Sequence, residues 1–128
     1  MQRFFAAYFV SGFFFLIVDA LWLWLVMGKL FKAQIPTLLL AQPKLLPAAI
    51  FYALYPIGIA VFGVLPAQDW LRAALLSALF GLLAYATYEL TNLATLKAWP
   101  VQIAMLDIAW GTALSGLAGG LGYYATRA

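Results

Sequence analysis

The chain has 128 residues, 67% hydrophobic and only 9% charged. An ordinary soluble domain carries roughly 25% charged residues, so this composition excludes a water-facing surface and reads as an integral membrane protein. The net charge of +3 comes from scattered Lys and Arg with no basic run or face, which excludes a nucleic-acid footprint.

Cysteine and histidine are both absent. Disulfides, thiolate metal sites and Cys nucleophiles are thereby ruled out. Zinc sites, His-ligated haem and Ser-His-Asp catalysis lose their usual ligand or base. No cofactor is expected, and any acid–base chemistry must run on Asp, Glu, Tyr or Lys.

A spanning helix requires about 20 mostly apolar residues, and four segments qualify. The first runs over about 4–27. It is too long for the apolar region of a signal peptide, about 7–15 residues, and it contains Asp19. The link "GKLFKAQIPTLLLAQPKLLP", Gly28–Pro47, mixes Leu and Phe with Lys, Gln and Pro. It is too polar and too broken to span, and is expected to lie in the headgroup plane. The second helix covers about 48–65, opened by Pro47, because proline suits a helix start. "PAQD", Pro66–Asp69, is a tight turn. The third helix covers at least 70–90, with "TNLATLKAWP", Thr91–Pro100, as the next link. The fourth covers about 101–125, opened by Pro100. The prediction is one all-α domain, a four-transmembrane-helix bundle with an interfacial segment between helices one and two.

With four spans, both termini share one side, and the 28–47 and 91–100 links share the other. Three arginines against four lysines leave the orientation open under the positive-inside rule.

"DALW", Asp19–Trp22, and "DIAW", Asp107–Trp110, each put a carboxyl inside an apolar run. At roughly 1.5 Å per residue they lie about 13 Å and about 10 Å from the same end of the bundle. Glu89 lies near that end of the third helix. Tyr52, Tyr55, Tyr85, Tyr88, Asn92, Trp22 and Trp110 belong to the same half. Tyr85, Glu89 and Asn92 form one helical stripe at i, i+4 and i+7. A lipid-facing Asp at mid-helix costs about 2.5–3.5 kcal/mol even on the lower, insertion-based scales, so these groups are expected to face inward and build one polar pocket. Close carboxyls in a dry site resist full ionisation, so at least one is expected to hold a proton at neutral pH.

Three functions compete. The first is a pocket for a lipid-like or amphipathic small molecule. Its candidate catalytic groups are Asp19, Asp107 and Glu89. Its ligand-binding groups are Trp22, Tyr52, Tyr55, Tyr85, Tyr88, Asn92 and Trp110. A protonated carboxyl beside aromatic faces suits proton donation to an alkene, with the rings steadying a developing cation. The second is proton-linked transport. The third is a structural subunit, dimerising or joining a membrane-protein partner through Gly111, Ser115 and Gly119, a small-residue face that permits close helix approach. Under that reading the carboxyls are interhelical glue. Trp99, Tyr123 and Tyr124 read as interfacial belt residues. No metal is expected: Asp19, Glu89, Asp107 and Asn92 offer oxygen ligands, but nothing in their spacing selects an ion.

"YELTNLATLKAWP", Tyr88–Pro100, and "DIAWG", Asp107–Gly111, are similar to the bacterial membrane family catalogued as domain of unknown function 2177. "DALWL", Asp19–Leu23, and "PAAIFYALYPIGIAVF", Pro47–Phe62, extend the resemblance over nearly the whole chain. Glu89 departs from the family pattern, which has Asp, but keeps the carboxylate. The resemblance implies a small four-helix protein of the bacterial inner (cytoplasmic) membrane and carries no activity with it.

Overall fold

The computed structural model describes residues 1–127. Four helices, Gln2–Gln34, Leu45–Val64, Trp70–Thr95 and Val101–Ala125, are each long and apolar enough to cross a membrane. No strand occurs among the described residues, so the chain is the expected all-α bundle.

The first helix does not stop at Met27. It continues through Gly28–Gln34 to a length of 33 residues. Leu, Lys, Ala and Gln in this stretch are all good helix formers, and no proline interrupts it. The stop comes from Pro36. Ile35 precedes it and leaves the helix at φ −136°, ψ 46°, because the proline ring disfavours helical geometry in the residue before it. The connection to the second helix is thereby shortened to residues 35–44, with one 3₁₀ turn at Pro36–Leu38. Within the first helix, Leu23–Met27 widens into a π-helical turn. A Cβ on Gly28 would stand only 2.6 Å from the Leu23 carbonyl oxygen, so this turn depends on glycine at 28.

The second helix opens at Leu45, earlier than Pro47 suggested, since the whole first turn of a helix has no N–H bonds for proline to lose. Pro56 lies inside it, and the helix widens to π geometry over Ile59–Val64. The third helix starts on Asp69, whose Oδ1 accepts the Arg72 backbone N–H at 2.7 Å, a side-chain N-cap. It runs to Thr95, past Leu90.

The third and fourth helices form the main seam of the bundle. Ala73, Ser77 and Gly81 recur every four residues on one helix, and Gly111, Ser115 and Gly119 on the other; all six are buried. A Cβ on Gly81 would meet the Gly111 carbonyl and the Ser115 side chain, and one on Gly119 would meet Ser77. The small-residue face, whose partner helix the sequence leaves open, packs against the chain's own third helix. Phe15, Tyr55, Ile59, Val64 and Leu114 fill the centre of the bundle. A smaller cluster of Met27, Ile35 and Ile103 closes the end where Gln34 Nε2 donates to Gln102 Oε1 at 2.7 Å. Phe5, Phe9 and Phe13 stack along the outside of the first helix, an arrangement that suits lipid.

Candidate functional site

Asp19 is buried in the first helix. Tyr52 Oη, from the second helix, donates to its Oδ2 at 2.5 Å, and Trp110 Nε1, from the fourth, donates to its Oδ1 at 2.9 Å. One carboxylate therefore ties three helices together with both oxygens satisfied. Trp22, one turn further along, lies flat on Trp110, with ring centroids 4.2 Å apart and planes 6° from parallel. The two Asp-x-x-Trp stretches interlock in this way.

The interlock is not reciprocal. Trp22 Nε1 is buried with no partner among the described residues, and Asp107 has the Glu89 carboxyl, not a tryptophan, as its neighbour. Glu89 is fully buried, and its Oε1 accepts from Trp99 Nε1 at 2.8 Å. Trp99 reaches back across the turn after the third helix. The turn is closed by Ala98 at φ +59°, a left-handed conformation that costs a non-glycine residue roughly 1–2 kcal/mol.

Between these groups lies a cavity of about 450 Å³, lined by Asp19, Asp107, Tyr52, Tyr55, Tyr85 and Tyr88 with Leu23, Phe31, Ala48, Phe51 and Ala84. Tyr55 and Ser115 share a hydroxyl–hydroxyl bond of 2.6 Å. The Tyr85 ring rests on Gly111, where a Cβ would collide with it, and meets Tyr55 edge-on at 6.0 Å and 87°. An apolar hollow with a few convergent polar groups is the usual composition of a small-molecule site.

Six of the candidate residues thus line one space. Glu89 stands behind Asp107, and Trp110 behind Asp19, neither lining the cavity. Trp22 is spent on stacking. Asn92 is one turn beyond Glu89, its Nδ2 buried with no partner among the described residues. The belt reading of two aromatics gives way: Trp99 holds Glu89, and Tyr123 is buried, donating to the Gln68 carbonyl at 2.7 Å and accepting from Arg127 at 2.8 Å. Among the described residues no three Asp, Glu, His or Cys side chains converge closely enough to hold a metal ion.

No curated protein and no solved structure matches the chain. The model of a family described as Predicted membrane protein (DUF2177) matches residues 4–124. With four helices able to span a bilayer and a family match over nearly its whole length, the chain is a multi-pass membrane protein and belongs to DUF2177.

Proposed function

We propose that the cavity between the first, second, third and fourth helices binds a lipid-like or amphipathic small molecule. The observation that carries this reading is a space of about 450 Å³ that sets two aspartates and four tyrosines among apolar walls. We place the protein in a bacterial inner membrane, where helices rather than closed barrels are the spanning form. The carboxyls then lie within the bilayer, and their mutual pairing offsets the cost of putting them there.

The two aspartates divide the chemistry. Asp19 is occupied by two donors and acts as a fixed acceptor. Asp107 lines the cavity with buried Glu89 as its neighbour, so it is the group suited to exchange a proton with a bound alkene or carbonyl. Tyrosine faces steady any cation that develops. The test fills the cavity. Purified protein should carry a co-purifying small molecule that mass spectrometry detects, and Ala84→Trp should lose it while remaining folded. Identical small-molecule content in both proteins rejects the reading.

The neighbouring intramembrane carboxyls Asp107 and Glu89 also favour a second reading, proton-linked transport. In sealed vesicles with an imposed pH gradient, that reading predicts substrate movement abolished by Asp107→Asn; binding without movement rejects it.

A further inference from the structure

If the cavity takes an amphiphile, as proposed above, its walls restrict the head group that such a molecule carries. Of the eleven lining residues, two are aspartates, four are tyrosines and none is Lys or Arg. Lys29, Lys32, Lys44 and Lys97 all lie outside the lining. A phosphate or carboxylate head would enter beside two carboxyl groups with no cation to meet it. In a site of low dielectric, an anionic head with no cation to compensate it is costly.

The aromatic geometry adds attraction for the opposite sign. Tyr55 and Tyr85 meet at 87°, and Phe51 lies against Tyr55 at 5.2 Å and 41°. Aromatic rings bordering a site favour an ammonium group over an anion. Tyr52, the fourth ring, is itself hydrogen-bonded to Asp19, so the negative charge lies directly behind it. Asp19 already has two donors, which leaves it as a charge at the wall rather than an acceptor seeking a hydroxyl. Asp107 lines the other side of the same space.

We propose that the cavity selects amphiphiles with a cationic head: an ammonium group on an apolar chain, its head between Asp19 and Asp107 and beside Tyr55 and Tyr85. The apolar chain lies along Leu23, Phe31 and Ala48.

The test uses the whole protein in nanodiscs of zwitterionic lipid. Three probes of equal chain length are titrated at neutral pH: dodecyltrimethylammonium, dodecan-1-ol and dodecanoate. Heat seen with Ala84→Trp, in which the cavity is filled, is subtracted as partition into lipid. The ammonium probe should bind about tenfold tighter than the alcohol or better, and dodecanoate should not bind. Asp107→Asn and Tyr85→Leu should each remove most of that preference, whereas Tyr85→Phe, which keeps the ring, should retain it. Two variants guard against one failing to fold. Binding of the alcohol or dodecanoate as tight as that of the ammonium probe, still blocked by Ala84→Trp, overturns the cationic selectivity and leaves the cavity reading standing. An absence of Ala84→Trp-sensitive binding for all three probes overturns both.

Discussion

Asp19 and Asp107 are spelled alike, each three residues before a tryptophan, yet they make different bonds. Asp19 accepts from Tyr52 and Trp110, and Asn in its place has one oxygen for two donors. Asp19→Asn should therefore leave a buried donor unpaired and destabilise the bundle by about 1–3 kcal/mol, read as a lowered midpoint of thermal unfolding in detergent. An unchanged midpoint would mean that these bonds contribute nothing to stability. If Asp107 exchanges a proton as proposed, a hydrophobic carbodiimide should label it or the neighbouring Glu89 at neutral pH, mapped by mass spectrometry. Ala84→Trp should block the reaction by closing the approach. Failure to label either residue at any pH would show a carboxyl pair sealed from the membrane. Helical pitch was enough to place both aspartates at one depth and to collect four tyrosines around them. It gave no sign of Trp99, whose bond to Glu89 is made across a turn through a left-handed alanine; no spacing rule marks such a contact.

At the scale of helices, the seam between the third and fourth decides how closely the cavity walls approach. The stripe Gly111, Ser115 and Gly119 was visible in the sequence, but its destination was not, because close approach looks the same for an internal helix and a second subunit. Ala73, Ser77 and Gly81 supply that destination. Gly111→Leu should drive a side chain into the Tyr85 ring and destroy the fold, seen as loss of monodisperse protein on size exclusion. Ser77 has a buried hydroxyl with no partner among the described residues. Removing an unsatisfied polar group relieves its desolvation cost, so Ser77→Ala should be neutral or stabilising by about 1 kcal/mol; a clear loss of stability would point to an unseen partner for the hydroxyl. Helix ends were less legible than helices. Pro47 marks a helix start that lies two residues earlier, at Leu45, and the mixed polarity of the Gly28–Pro47 link suggests an end at Met27 where Pro36 imposes one after Gln34.

For the whole molecule, the length of the first helix sets how the bundle sits in a bilayer. At roughly 1.5 Å per residue, 33 residues extend about 50 Å, against a hydrocarbon core of about 30 Å. The lysine-bearing end at Gly28–Gln34 should stand clear of the lipid tails, holding the second helix by a short connection. The chain has no cysteine, so single cysteines can be introduced cleanly. Gln34→Cys should react with a water-soluble maleimide in intact membranes and Phe13→Cys should not; the reverse pattern would refute this placement. The four-span architecture followed from composition alone. The amphipathic link was predicted from polarity, a signal that does not separate a helix continuing into water from one lying along the surface.

The stacked indoles also give the protein an optical signature. Trp22 and Trp110 are parallel at 4.2 Å, close enough for their electronic transitions to couple, whereas Trp24 is largely exposed on the outside. Near-ultraviolet circular dichroism, which reports fixed aromatic packing, should therefore be dominated by this pair. Trp22→Phe should remove that band and Trp24→Phe should leave it intact. Because Trp110 is also the hydrogen-bond donor to Asp19, any occupant or substitution that disturbs Asp19 becomes visible as a change in the light the protein absorbs, without a label.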